Sequence, residues 1–194
     1  MKRSYVFLAP GFEEIEALAT VDIMRRAGLD VKTVAVNEGS KSVTGAHGIE
    51  VVADMLIADE DMSDAAWLVI PGGMPGASNL AADTALCNLL KVQAARKGNI
   101  AAICAAPAVV LAPLGILDGK EATCYPGFEN QCMEHGAVMV DRQVVNLGNI
   151  VTANGPASAM LFALTIVANE LGNAASQQVG GGMLLFSPQE NLYL

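Results

Sequence analysis

Apolar residues gather along this chain in short, unbroken runs rather than in an alternating pattern. Residues 4–9, Trp67–Ile70 and 100–103 are apolar almost throughout, residues 29–36 are so apart from Asp30, Lys32 and Thr33, and the runs are bounded by turn or charge signals such as Pro10-Gly11, Pro71-Gly72-Gly73 and Lys97-Gly98-Asn99. A run of that length reads as a strand buried on both faces, the habit of parallel sheets. Between the first two runs the period changes to that of a helix. Glu13 and Glu14 stand in its first turn as solvated residues, Arg25 and Arg26 in its last, and Gly28 just beyond. Those charges complement the helix dipole, and the glycine suits a C-terminal cap.

Further along, residues 41–44 and 49–52 around Gly45 to Gly48 read as a small hairpin or strand pair. Residues 85–95 are helical, and 121–124 form a strand closed by Tyr125-Pro126-Gly127. Residues 138–140, 144–146 and 150–152 are short strands. Residues 156–171 form a long apolar helix with Asn154 as its capping residue. Strands alternating with helices predict an α/β three-layer sandwich with a mainly parallel sheet. One domain over residues 1–188 accounts for the length, followed by a mobile tail at 189–194. Glu190-Asn191-Leu192-Tyr193 resembles the start of a protease-cleavage tag, but Leu194 breaks the match, so native and tag-derived origins both stand.

Composition narrows the function classes. The 194 residues are 53% hydrophobic and only 16% charged, with a mean hydropathy of +0.41. That supplies a large core and permits an exposed apolar patch, hence oligomerisation. A net charge of -9 without a basic run argues against nucleic acid and anionic membrane as partners. No apolar segment is long enough to span a bilayer, and the first strand begins too early for a signal peptide, so a cytoplasmic location is expected. The four cysteines, Cys87, Cys104, Cys124 and Cys132, form no Cys-x-x-Cys pair, and only His47 and His135 accompany them. A metal site is therefore not expected, and reduced thiols are.

One stretch carries chemistry. Ile100-Ala101-Ala102-Ile103 is strand-like, whereas Pro107-Ala108-Val109-Val110-Leu111 suits a helix with proline in its first turn. Cys104 falls on the joint, with Ala102 and Ala106 two residues to either side. Small residues at those places are what a sharp nucleophile elbow requires. A thiol there faces a helix N-terminus, which favours its thiolate and makes Cys104 the most acid of the four. A buried, inert cysteine is the alternative. Gly72-Gly73 ends a strand and precedes a helix. Its backbone N–H groups can form an oxyanion hole, or the pair can simply make a tight turn. Glu16 shares its helix face with Ala19, Thr20, Ile23 and Ala27. A carboxylate on an apolar face needs a partner or stays protonated. Glu16 is thus either a hydrogen-bond donor to Cys104 or a glutamate on the rim.

In combination, Ala9-Pro10-Gly11-Phe12-Glu13-Glu14-Ile15-Glu16, residues 21–28, Val69-Ile70-Pro71-Gly72-Gly73, residues 101–107 and Gly155-Pro156 resemble the ThiJ/PfpI superfamily. The resemblance is to the branch of the Parkinson's-linked DJ-one protein and its bacterial relatives, and it runs from the first strand to about Leu171. It implies a flavodoxin-like sandwich, a homodimer with the first helix in the interface, and no cofactor. It carries Cys104 over as nucleophile, Glu16 as its protonated donor, and the backbone of Gly72, Gly73 and Ala105 as the oxyanion pocket. There are departures. Protease-like members place a histidine directly after the nucleophile, where this chain has Ala105. The DJ-one branch has a histidine in the loop where Tyr125 stands, and often an arginine where His47 stands. Tyr125 is therefore a hydrogen-bond donor to substrate or a packing residue, and His47 a site residue or a surface histidine. Cys124 as a second thiol near Cys104 is the weaker reading.

The resemblance implies an enzyme acting on small reactive dicarbonyls or their protein adducts, of the glutathione-independent glyoxalase or deglycase kind. A redox-sensing chaperone switched by Cys104 oxidation is the alternative. Ala105 disfavours a peptidase. Thiazole monophosphate synthesis finds neither a phosphate loop nor a lysine-centred site.

Overall fold

A computed structural model describes residues 2–36 and 39–185; the tail expected at 189–194 lies outside them. Seven strands make the main sheet: β1 (Ser4–Leu8), β2 (Val31–Ala35), β5 (Met55–Leu56), β6 (Trp67–Ile70), β7 (Asn99–Ile103), β10 (Val144–Asn146) and β11 (Ile150–Ala153). Their order is β10-β11-β7-β6-β1-β2-β5. Every pairing is parallel except that of β10 with β11. The predicted hairpin is a separate two-stranded sheet, β3 (Ser42–Thr44) against β4 (Glu50–Val52), with Val43 opposite Val51.

The unbroken apolar runs are explained by burial on both sides. Alternate residues of β1, β6 and β7 point to two different cores. Val6, Leu8, Trp67, Val69, Ala101 and Ile103 meet Ala17 and Met24 of α1 (Glu14–Arg26) and Phe162 and Ile166 of α5 (Ala159–Leu171). Tyr5, Phe7, Leu68, Ile70, Ile100 and Ala102 meet Leu80 of α2 (Gly76–Ala82), Leu86 and Leu90 of α3 (Thr84–Ala95), and Val110 and Leu111. The result is the flavodoxin-like three-layer sandwich the resemblance implies. Among the described residues no helix is long and apolar enough to cross a membrane.

Several local expectations are corrected. Only Glu121–Ala122 of the strand expected at 121–124 is a strand, β8, and it pairs in parallel with β9 (Val138–Met139) outside the main sheet. The next amides are taken elsewhere: Thr123 donates to Thr152 Oγ1 at 3.0 Å and Tyr125 to the Cys104 carbonyl at 2.8 Å. Asn154 does not cap the long helix. Its Oδ1 accepts the Ser158 hydroxyl at 2.6 Å, and a 3₁₀ turn, Pro156–Ser158, leads into α5. The segment after Cys104 is one π-helical turn, Pro107–Leu111, closed by Ala112 N–H on the Pro107 carbonyl at 2.9 Å. Two further helices, α4 (Glu129–Glu134) and α6 (Asn173–Gly182), bury only Cys132 and Gly180 respectively. With one buried residue each, neither carries an apolar stripe a sequence reader could follow.

Candidate active site

Cys104 follows the last residue of β7 in a left-handed conformation, φ +65°. For a residue with a side chain that costs on the order of 1–3 kcal/mol, so the surroundings must hold it. They do so from both sides: Cys104 N–H donates to the Ala153 carbonyl at 2.9 Å, and its own carbonyl accepts from Tyr125 N–H at 2.8 Å. Ala102 and Ala106 are fully buried, which leaves no space for larger neighbours at the elbow.

Glycine at position 72 lets Cys104 come close to the end of β6, and glycine at 73 lets the start of α1 do so. A Cβ on Gly72 would lie 2.5 Å from Cys104 Cβ and 3.0 Å from its Sγ. Gly73 has φ +85°, and a Cβ there would lie 2.4 Å from Glu13 N. The N–H groups of Gly73 and Ala105 act on the Cys104 sulfur in the sense that favours its ionised form. Gly72 serves differently from the oxyanion donor expected of it. Its N–H is already committed to Glu16 Oε2 at 2.7 Å, and its carbonyl accepts from Glu13 N–H at 3.0 Å. Gly72 is thus a positioning residue for the carboxyl group.

Glu16 is 1% exposed, among Thr20 and Ile23, which are also fully buried. The helical face read from the sequence is therefore the inward one. The carboxyl lies against Cys104 closely enough to share a hydrogen. Its Oε1 has no partner in regular hydrogen-bond geometry. Burial pushes the carboxyl up to about 7, against the opposing pull of the Gly72 N–H and the Cys104 thiol. The thiol is pushed up to about 12, first by burial and then by the charge of Glu16, against the N–H groups of Gly73 and Ala105. The depressed thiol expected from the elbow is thus not produced by the elbow alone. A five-residue π turn has little dipole to offer, and burial outweighs it. The two groups titrate as a pair. One negative charge forms on the pair near neutral pH, and a second is deferred to strongly alkaline pH. With the proton on Glu16, the charge rests on a sulfur whose ionised form two backbone N–H groups favour.

Glu13 and Glu14 are not solvated as expected; both are buried. Glu13 is the N-cap of α1, its Oε2 accepting Glu16 N–H at 2.7 Å. Glu14 reaches the loop between β3 and β4, where Oε1 accepts His47 N–H at 2.7 Å and Oε2 lies 2.8 Å from His47 Nδ1. His47 itself is 69% exposed and clips this loop to the start of α1. Its imidazole is raised above the ordinary histidine range by the hydrogen bond to Glu14 and by that charge. Among the described residues, Glu13, Glu14 and His47 have donor atoms within 4.8 Å of one another. Both Glu14 oxygens and Glu13 Oε2 already serve the fold, so the trio reads as a clip rather than a metal cradle. Tyr125 joins the site through its backbone N–H, while its ring, on a 45% exposed residue, flanks the backbone of Gly155. Sequence reasoning missed Glu13, whose cap bond and N–H to Gly72 tie the helix start to the site. A capping glutamate three residues before the carboxyl it orients has no motif to announce it.

This chain is similar to Protein dj-1beta of Drosophila melanogaster, 36% identical over 184 residues, covering 95% of this chain and 97% of that one. It is also similar to a Caenorhabditis elegans protein named Glutathione-independent glyoxalase DJR-1.2, 36% identical over 167 residues, 86% of this chain and 87% of that one. The solved structure of Toxoplasma gondii DJ-1 in its oxidized form superposes with a TM-score of 0.88 at 35% identity, covering 95% of this chain and 98% of the other. The DJ-1/PfpI family model matches residues 2–169, the span from β1 through nearly all of α5. The elbow, its buried glutamate and the sheet that presents them all fall within that span, and the chain belongs to the DJ-1/PfpI family.

Proposed function

We propose that the protein is a cysteine-dependent enzyme acting on small reactive dicarbonyls or their protein adducts, as a glutathione-independent glyoxalase does. The observation that carries the reading is the Glu16 carboxyl, buried, raised to about 7 and set against the one cysteine in a strained elbow. A carboxyl that holds or releases a proton near neutral pH is what moving a proton between carbon and oxygen requires. The name of the Caenorhabditis elegans relative supports the substrate class.

In this reading the Cys104 thiolate adds to the aldehyde carbon of methylglyoxal, and the carbonyl π electrons move to oxygen. The N–H groups of Gly73 and Ala105 hold that oxyanion, and Glu16 supplies its proton. The ionised Glu16 then takes the proton from the same carbon and returns it to the neighbouring one, while the hydroxyl proton passes to the neighbouring ketone oxygen through the enediol, leaving a 2-hydroxy thioester on Cys104. Water hydrolyses the thioester to lactate and restores the thiol. Hydroxyacid formation from methylglyoxal by the purified chain tests this. Lactate should appear without added glutathione and vanish in Cys104→Ser; lactate from Cys104→Ser, or none from the wild type, overturns it.

A second reading, redox sensing through Cys104, is favoured by the same pair, since a protonated Glu16 can hydrogen-bond an oxidised sulfur acid. Oxidation-dependent protection of an aggregating client without turnover is its signature. We also propose a homodimer through α1, on which Ile15 is 57% and Leu18 38% exposed. Light scattering at micromolar concentration should report about twice the chain's 20.1 kDa; a monomer refutes it.

A further inference from the structure

Three strands end at one cavity. Thr123 follows β8, Val140 and Asp141 follow β9, and Asn154 follows β11. All four line a space of about 280 Å³, together with Glu129 of α4 and Met139 of β9. The crevice outside the carboxyl ends of strands is where open α/β sheets take ligands. The volume lies just below the roughly 300–1,000 Å³ of sites for drug-sized molecules, which suits a smaller guest. Neither Cys104 nor Glu16 is part of the wall.

The polar groups of the wall are acceptors left over from the fold. Glu129 Oε2 accepts Gly127 N–H at 2.7 Å, which steadies the carboxylate and leaves Oε1 without a partner among the described residues. The Asp141 carboxylate has neither a hydrogen bond nor an ion pair among them. Deepest is Thr123, 4% exposed. Its N–H goes to Thr152 Oγ1 at 3.0 Å, but its hydroxyl meets no partner among the described residues. A hydroxyl buried in that way is costly unless something inside the cavity meets it. We propose that the cavity is a binding site for an alkylguanidinium or alkylammonium group. Its cation meets the carboxylates of Glu129 and Asp141 and donates to the Thr123 hydroxyl, and its carbon chain lies against Met139 and Val140.

Other guests fit the wall less well. An anion would face two carboxylates with no lysine, arginine or histidine in the lining to offset them. A bare divalent cation needs several oxygens converging on one point. Among the described residues, three such side chains converge only at Glu13, Glu14 and His47, away from this cavity. Met139 and Val140 would also give a metal ion nothing, whereas a cation on an aliphatic stem uses the charged and the apolar halves of the wall together. The site stands apart from Cys104, so its occupancy is independent of the dicarbonyl reading and is measured without turnover.

The test titrates the full nitrogen-15 labelled chain with propylguanidinium and follows the amide cross-peaks of Thr123, Gly127, Asp141 and Asn154. They should shift together and saturate with a dissociation constant in the millimolar range. A capped peptide with one central arginine is the second arm. Saturation by either probe supports the site, and the tighter one names the source of the group, a free small molecule or a protein side chain. Glu129→Gln combined with Asp141→Asn should weaken binding roughly tenfold or more, and Thr123→Val, which keeps the shape and removes the hydroxyl, should weaken it by a few-fold. The proposal is overturned if neither probe saturates these amides, or if neutral 1-butanol binds as well as propylguanidinium. Calcium moving the same amides at lower concentration overturns it too, in favour of a metal site. These comparisons are made on the wild type and stand whether or not the variants fold.

Discussion

Glu14 and Glu16 sit two residues apart on one helix, are both buried, and are driven in opposite directions. Burial would raise Glu14, but hydrogen bonds from the His47 side chain and from the His47 and Ile49 amides overcome it and hold the carboxyl below its ordinary range. Glu16 receives one backbone N–H and a thiol, and burial wins. The number of donors facing each oxygen separates a permanently charged strut from a proton carrier. Burial by itself predicts neither.

The largest effect expected from breaking that contrast is on turnover. Glu16→Gln keeps a donor toward Cys104 but loses the mobile proton, so dicarbonyl turnover should fall by roughly 10²–10⁴-fold. Glu14→Gln should stay within a few-fold of wild type, measured as lactate released per minute. Comparable losses in both variants would erase the distinction. Next comes stability against pH. Glu16 has a folded value near 7 against an ordinary 4.5. The folded state therefore binds the proton more tightly, and its contribution is complete below about pH 4.5 and lost as pH rises toward 7. The span corresponds to about 3 kcal/mol. Urea midpoints compared between pH 4.5 and 8 should show that decline in the wild type, whereas Glu16→Gln should be flatter by that amount.

Glu14 has the reverse sign. Its depressed value contributes stability above the ordinary carboxylate pKa, lost as pH falls through the folded value. Glu14→Gln leaves the two amides and the imidazole short of an acceptor and should cost about 1–3 kcal/mol at neutral pH. The smallest effect belongs to His47→Ala. The imidazole is exposed, so the unfolding midpoint should move less than in Glu14→Gln, and turnover should not change. A strong loss of turnover in His47→Ala would return His47 to the site itself.

Much of this was legible in the sequence because burial on two faces leaves an unmistakable trace: residues 4–9, Trp67–Ile70 and 100–103 could hardly be anything but central strands. Glu16 was legible because a charge on an apolar helical face stands out, and Cys104 because alanines flank it at even spacing. Glu13 and Glu14 were misread because acidic residues in a first helical turn have an ordinary explanation in water. The donors that bury Glu14 come from a loop more than thirty residues on. The strand expected at 121–124 failed for a similar reason. Ala122, Thr123 and Cys124 would suit a strand, but Thr123 and Tyr125 spend their amides on Thr152 and Cys104. No periodicity records where a backbone N–H goes.

The bond from Gly72 N–H to Glu16 Oε2 has a use beyond holding the carboxyl in place. An amide proton shared with a carboxylate resonates well downfield of one shared with a neutral acid, so the protonation state of a buried side chain is transcribed into the frequency of a single backbone nucleus. In a nitrogen-15 labelled sample the Gly72 cross-peak becomes an internal pH meter for the Glu16–Cys104 pair, readable without touching the sulfur. Its titration midpoint in the wild type and in Cys104→Ser would report directly how much of the carboxyl's proton affinity the thiol supplies.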